Sequence, residues 1–130
     1  MLKNTILNNE LIYVLSRLGH TQTICICDAG LPIPLNSKLV DLALLPGYPD
    51  IHTVINAILD SMPTEKAYCA TESIEKNPDF IQNLKSKLDY DISFISHDEL
   101  KKLSHNCFAF IRTGECTPYA NIILQATTTF

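Results

Sequence analysis

The apolar residues of this chain alternate between a helical and an extended spacing. Four of them recur every three or four positions near the start: Leu11, Val14, Leu15 and Leu18. This stripe predicts an amphipathic helix over residues 9–18. The segment 23–27, with the sequence TICIC, is instead a continuous β-prone run, which is typical of a strand buried on both faces.

Helical and extended segments keep alternating towards the C-terminus. Further strands are predicted at 38–45, 66–70, 91–95, 107–112 and 121–126. Further helices are predicted after Asp50, over 74–88 with an interruption near Pro78, and after Ser96. This alternation predicts an α/β fold, as a single compact domain over residues 1–130 with a mostly parallel sheet flanked by helices.

Local signals also predict where helices begin and end. Asp50 stands before an apolar helical stripe, and Ser96 opens the sequence Ser-His-Asp-Glu, the pattern of a capping box. Gly19 follows the first predicted helix, at the position where a left-handed glycine commonly ends a helix.

Composition narrows the class of protein. The 130 residues carry a formal net charge of -4, and this mild acidity argues against a nucleic-acid binder or a protein that binds anionic membranes. Residues 1–10 lack the apolar core of a signal peptide, and no apolar run approaches the roughly 18 residues of a membrane span. We therefore expect a soluble, cytoplasmic protein.

Cysteine and glycine spacing argues against several kinds of site. The odd number of cysteines, mostly inside apolar runs, suits reduced and buried thiols better than a disulfide framework. No Cys-x-x-Cys or His-x-x-x-His spacing is present, so no metal site is predicted. Neither Gly-x-Gly-x-x-Gly nor a P-loop occurs, so no nucleotide cofactor is predicted either.

Two polar residues stand at the ends of predicted elements, where the active sites of α/β sheets lie. His20 follows the first helix, whose C-terminus favours a cation, so it is a candidate general acid. The alternative is an exposed histidine that only complements the helix dipole. Asp28 directly follows the 23–27 strand and could bind a hydroxyl or orient a histidine. The alternative is an Asx turn that begins the following Gly-Pro loop.

His97 and residues 113–121 are further candidates. His97 takes the first helical position after Ser96, where a neutral imidazole that binds a hydroxyl is expected; the alternative is a solvated histidine. The 113–121 loop, TGECTPYAN, offers donors and acceptors suited to a polyhydroxylated ligand; the alternative is an ordinary strand connection. Imidazole, carboxylate, phenol and amide together indicate proton transfer on a small polar molecule without a cofactor.

Three blocks of sequence carry a resemblance to a known family. They are SRLGHT at 16–21, CDAGLPIP at 27–34 and GECTPYANIIL at 114–124. In order and spacing they resemble the ribose pyranase and fucose mutarotase family, almost from end to end. The Ala-Gly pair after Asp28 favours the ribose branch of that family.

The resemblance implies an isomerase that interconverts the pyranose and furanose forms of D-ribose without a metal or another cofactor. It implies His20 as the proton-donating catalytic residue. The implied sugar contacts are Asp28, His97, Tyr119, Ala120 and Asn121. Two alternatives stay open: the same chemistry on fucose or another sugar, and a non-catalytic sugar-binding accessory of ribose uptake.

The resemblance also implies a ring-like homo-oligomer, commonly a decamer. The spacing of His20 and Asp28 leads to a related expectation, because the eight steps between them span up to roughly 26 Å if extended. Unless the chain bends back, one subunit does not bring both residues to one sugar. We therefore predict a site completed by a neighbouring subunit.

Overall fold

Helices and strands alternate over most of the chain in the computed structural model, which describes residues 1–3 and 5–130. The helices of this part are α1 (Asn9–Arg17), α2 (Ile51–Ser61), α3 (Glu72–Lys76), α4 (Pro78–Lys87) and α5 (His97–Ser104). Its strands are β1 (Thr23–Cys27), β2 (Leu39–Asp41), β3 (Thr64–Ala70), β4 (Ile92–Ile95), β5 (Ala109–Arg112) and β6 (Ile122–Ala126).

The strands form one sheet in the order β2-β5-β1-β6-β3-β4. β1 pairs in parallel with β5, β5 with β2, and β3 with β4. β6 lies inside the sheet and runs antiparallel to both β1 and β3. It follows β5 through the 113–121 loop, which contains no helix, whereas a parallel crossover takes a dozen or more residues. The predicted α/β class and mostly parallel sheet are confirmed, with β6 as the antiparallel exception.

Helices cover both faces of the sheet. The apolar stripes of α1, α2 and α4 pack in one core with Ile24 and Ile26 of β1. Leu100 of α5 packs in a second core, which contains Cys25 and Cys27 of the same strand. Because successive strand residues point to opposite faces, β1 is buried on both sides, as its sequence predicts.

The predicted N-caps are confirmed. Asp50 accepts a hydrogen bond from the Thr53 N–H at 2.8 Å, and Ser96 accepts one from the Glu99 N–H at 3.1 Å. Pro78 begins α4 and separates it from α3, which is the predicted interruption. Proline is tolerated there because the first residues of a helix need no N–H donor.

The strand predicted over 38–45 is too long. β2 ends at Asp41, because the N–H groups of Leu44 and Leu45 donate to the Tyr48 carbonyl, at 3.0 and 3.2 Å, in a turn. A backbone donor that closes a turn is lost to the sheet ladder, so the chain leaves the sheet there.

The predicted ending of the first helix is also wrong in detail. α1 ends at Arg17, and Gly19 does not take the left-handed conformation; Thr21 does, with φ of 73°. The Gln22 side chain accepts the Gly19 N–H at 2.7 Å. A side-chain hydrogen bond therefore closes this turn in place of a left-handed glycine.

Among the residues that the structure describes, no helix combines the length and the apolar character needed to cross a bilayer.

Candidate active site

Asp28 stands at the C-terminal edge of the sheet, the edge at which β1 and β5 end. Its backbone N–H donates to Asn121 Oδ1 at 2.9 Å, and Asn121 Nδ2 donates to Asp28 Oδ2 at 3.2 Å. Asp28 Oδ1 accepts the Gly30 N–H at 2.9 Å, so the Asx turn is present. Since Asn121 is fully buried, this reciprocal pair fixes a carboxylate at the end of β1.

The 113–121 loop is anchored to the elements around it. Thr113 Oγ1 donates to the Cys27 carbonyl at 2.8 Å, at the end of β1. The Glu115 carboxylate accepts the Ile51 N–H at 3.1 Å, at the start of α2. These bonds tie the loop to a strand and to a helix, which is more than a strand connection requires.

Tyr119 lies in this loop with a left-handed backbone, φ of 54°. Asn77, between α3 and α4, donates through Nδ2 to Thr117 Oγ1 at 2.9 Å and to the Pro118 carbonyl at 3.0 Å. Thr117 in turn donates to Glu115 Oε2 at 2.8 Å. A positive φ is uncommon for a residue with a side chain, so it persists where the surroundings impose it. The hydrogen bonds from Asn77 and Thr117 supply that constraint.

His97 begins α5 beside the same loop. Its backbone N–H donates to both carboxylate oxygens of Glu72, at 3.0 and 3.1 Å. Its ring meets the Tyr119 ring edge-on, with centroids 5.1 Å apart. Its Nδ1 is buried and has no hydrogen-bond partner within residues 1–3 and 5–130. Nε2 is therefore the ring atom available to a ligand.

Two open depressions adjoin Asp28 at this edge, of about 460 and 340 Å³. They share Asp28, Gly30 and Pro118, and the second is also bordered by His97 and Tyr119. Their volumes lie in the range of small-molecule sites, about 300–1,000 Å³. The C-terminal edge therefore has room for a small polar ligand.

His20 lies at the opposite, N-terminal edge of the sheet, where the Thr21 N–H donates to the Ala126 carbonyl at 3.0 Å. His20 Nε2 is 3.2 Å from Glu65 Oε1, and Gln125 Nε2 donates to the same oxygen at 2.7 Å. The hydrogen bond from Gln125 is the chief cause that lowers the pKa of Glu65. The His20 side chain is 52% exposed, so it remains open to a ligand or to another subunit.

The structure thus gathers five of the six predicted site residues and leaves one apart. The C-terminal edge carries Asp28, His97, Tyr119, Ala120 and Asn121. His20 is separated from them by β1, whose five residues span about 16 Å. Within one chain, a small sugar bound beside Asp28 does not reach His20.

The buried cysteines are poor nucleophiles. All five cysteines are free, and burial raises the pKa of Cys27 and Cys69 to about 12 and that of Cys107 to about 11. The described residues contain no cluster of three or more His, Cys, Asp or Glu side chains placed to hold a metal ion. The groups at the two edges are imidazole, carboxylate, phenol and amide, which move protons and hold hydroxyl groups.

Comparison with known proteins identifies the family. Residues 1–129 match the RbsD / FucU transport protein family. The chain belongs to this family.

Three relatives illustrate the similarity. A D-ribose pyranase from Geobacillus thermodenitrificans is 44% identical over 131 residues, which cover 100% of this chain and 99% of the relative. The structure of Bacillus subtilis RbsD complexed with D-ribose matches over 100% of both chains, with a TM-score of 0.96 and 41% identity. The fucose mutarotase of Streptococcus pneumoniae, in complex with L-fucose, has a TM-score of 0.80 over 99% of this chain and 100% of its own. At 21% identity, that last likeness is one of fold.

Sequence analysis missed four polar residues that support the two edges: Glu65, Glu72, Asn77 and Gln125. Each bonds a residue more than 20 positions away, and short sequence patterns do not detect such pairs. Glu65 carries one usable signal, a charge at the start of a strand. The strand predicted over 66–70 begins one residue after it.

Proposed function

We propose that this chain interconverts the pyranose and furanose forms of D-ribose by general acid–base catalysis. The observation that carries the proposal is the match, over the whole of both chains, to a relative whose structure holds D-ribose. The 44% identity to a D-ribose pyranase supports the same activity. The hydrogen-bonding groups beside the C-terminal depressions are the kind that a sugar with several hydroxyls requires.

In this proposal, the residues of the C-terminal edge bind the sugar. Asp28 accepts hydrogen bonds from sugar hydroxyls, because Asn121 and Gly30 leave part of its acceptor capacity unused. His97 contributes Nε2, and Tyr119 contributes its phenol from the position that the loop imposes. Ala120 is fully buried and contributes through its main chain.

The proposed reaction passes through the open aldehyde. His20 protonates the ring oxygen O5 while a base, Asp28 or His97, removes the proton of the anomeric hydroxyl. The C1–O5 bond breaks, and C1 becomes the aldehyde carbon. After rotation, O4 attacks C1 and returns its proton to His20, while the base returns the other proton to the former aldehyde oxygen. General acid–base catalysis supplies about 10²–10⁴-fold, which is sufficient for a reaction that proceeds slowly in water.

We further propose that a neighbouring subunit supplies His20 to each sugar site, within a homo-oligomer that we expect to be a decamer. The location of His20 and Asp28 at opposite edges of one sheet supports this. So do the exposed apolar side chains of the turn that follows β2: Leu44, Leu45 and Tyr48. Exposed apolar patches are typical of protein interfaces. Light scattering should give a mass several times the 14.5 kDa of one chain.

We also propose that the protein is cytoplasmic. Its five free cysteines support this location, since reducing conditions there keep thiols from oxidising.

The test is magnetisation exchange between the pyranose and furanose signals of D-ribose, measured by NMR. The wild-type chain should accelerate this exchange, and His20→Ala should lose about 10²–10⁴-fold of the acceleration. His105→Ala is the matched control, because His105 is exposed at the end of α5. It should behave as wild type.

Other outcomes would contradict parts of the proposal. If His20→Ala were as active as wild type, His20 would not be the acid. If the folded wild-type chain accelerated only the exchange of L-fucose, the substrate would be wrong. If it bound D-ribose without accelerating exchange, the chain would be a sugar-binding accessory.

A further inference from the structure

Glu65 occupies an irregular position in the sheet. Thr64 pairs with Ala126 and Lys66 pairs with Gln125, so two steps along β3 match one step along β6. Glu65 is therefore the extra residue of a β-bulge. Bulges redirect side chains and are common beside active sites. This one brings the Glu65 carboxylate to His20, 45 positions away in the chain.

A hydrogen bond from Gln125 fixes the position of the Glu65 carboxylate beside His20. Gln125 Nε2 donates to Glu65 Oε1 at 2.7 Å, a shorter distance than the 3.2 Å to His20 Nε2. The hydrogen bond from Gln125 also lowers the pKa of Glu65, so the group is a carboxylate at neutral pH. A fixed, charged acceptor beside one imidazole nitrogen decides which nitrogen carries the proton in the neutral ring.

We propose that Glu65, held by the β-bulge and by Gln125, is a positioning residue that keeps the proton of neutral His20 on Nε2 and directs Nδ1 to the sugar. This inference rests on the proposed function of His20. It assigns a role to a side chain that lies outside the sugar-binding edge.

With Nε2–H bound to Glu65, the proton that His20 transfers is the one on Nδ1. In the imidazolium form, both ring nitrogens carry hydrogen, and the Nε2–H stays on Glu65. The Nδ1–H moves to the ring oxygen as the C1–O5 bond breaks, which leaves the neutral Nε2–H ring. When O4 attacks C1, its proton returns to Nδ1. Glu65 accepts a hydrogen bond throughout and is not itself protonated, so protons and electrons balance within His20, the base and the sugar.

The test compares Glu65→Gln with wild type in the ribose exchange assay. Loss of the charge should lower kcat about tenfold to a hundredfold, with KM changed less than about twofold, as for other residues that orient a reacting group. Glu75→Gln is the control, since Glu75 is exposed on α3. It should change neither quantity.

A second readout does not depend on activity. In protein labelled with ¹⁵N at histidine, the His20 signals of wild type should report the Nε2–H form of the neutral ring, and Glu65→Gln should give a mixture of both forms. Unchanged kcat in Glu65→Gln, with an active wild type, would overturn the inference alone. An inactive wild type would contradict the proposed function. In that case, identical His20 ¹⁵N spectra of wild type and Glu65→Gln would overturn the inference independently.

Discussion

At the scale of single residues, the surroundings of a titratable side chain change its pKa, and His52 is the clearest case. Its ring packs against Phe80 with centroids 5.5 Å apart, and its Nδ1 is buried without a partner in the described part of the chain. Burial, followed by the positive charge of Lys87, lowers the pKa of His52; Asp50 and Glu115 oppose this. Protonation of His52 is therefore less favourable in the folded chain than in the unfolded one.

This difference predicts a loss of stability in mild acid. The unfolded chain binds a proton at His52 near its ordinary pKa of about 6.5, before the folded chain does, so the free energy of unfolding falls as pH drops through and below that value. His52→Gln removes the proton uptake. Its melting temperature should fall less than that of wild type between pH 7.5 and pH 5.5, measured by calorimetry.

His105→Gln serves as the control for that experiment, since His105 is exposed. It should retain the pH slope of wild type. Asp41 and Asp50 also have lowered pKa values, but their ordinary value is 3.8. The stability that their ionised carboxylates contribute is therefore lost only at a more acidic pH than the range of this experiment. An identical slope in His52→Gln and wild type would contradict the interpretation.

At the scale of elements, the 113–121 loop is shaped by its contacts with neighbouring segments. A Cβ at Gly114 would overlap the Tyr48 carbonyl and approach the Leu45 carbonyl to 2.6 Å, so the loop packs directly on that turn. On its other side, Asn77 and Glu115 bind the same hydroxyl, that of Thr117. The loop conformation therefore depends on the turn at 45–48 and on Asn77, both of which are distant from it in sequence.

Substitution of Thr117 should separate this positioning role from simple packing. Thr117→Val keeps the shape of the side chain but removes the hydroxyl that Asn77 and Glu115 bind. The position of Tyr119 beside the depression is then less well fixed. We expect KM for D-ribose to rise about fivefold, the equivalent of one net hydrogen bond of about 1 kcal/mol. Thr117→Ser keeps the hydroxyl and should retain the wild-type KM. Equal KM values for the valine and serine variants, from exchange rates at several ribose concentrations, would disprove the role of the hydroxyl.

At the scale of the whole molecule, the decisive feature is that the candidate acid and the candidate sugar site lie at opposite edges of one sheet. His20 precedes β1 and Asp28 follows it, while Asn121 joins Asp28 from the start of β6. A rigid strand keeps the two ends apart in every copy of the chain. In the proposed function, completion of the site would therefore depend on a neighbouring subunit.

Mixed oligomers should reveal this sharing. His20→Ala and Asp28→Asn should each be nearly inactive alone. When the two are unfolded together and refolded as mixed oligomers, about a quarter of the sites should combine an intact His20 with an intact Asp28 from a neighbour. Exchange activity of about that fraction of wild type is the expected result. If the mixture stayed as inactive as its components, the site would lie within one subunit.

Features that depend on neighbouring residues alone were determined by the sequence. The buried TICIC strand, the caps at Asp50 and Ser96, and the break at Pro78 all follow from short patterns, because their hydrogen bonds and packing periods span only a few positions. The length of β1 likewise predicted that His20 and Asp28 would lie far apart.

Features that join distant segments were decided only by the tertiary structure. Nothing near Glu65 in the sequence indicates that a bulge aims it at His20, or that Gln125 holds it there. The antiparallel course of β6 and the edge-on contact of His97 with Tyr119 also depend on pairings across the sheet. Such contacts have no local period, and they exist only because burial of the two cores brings the segments together.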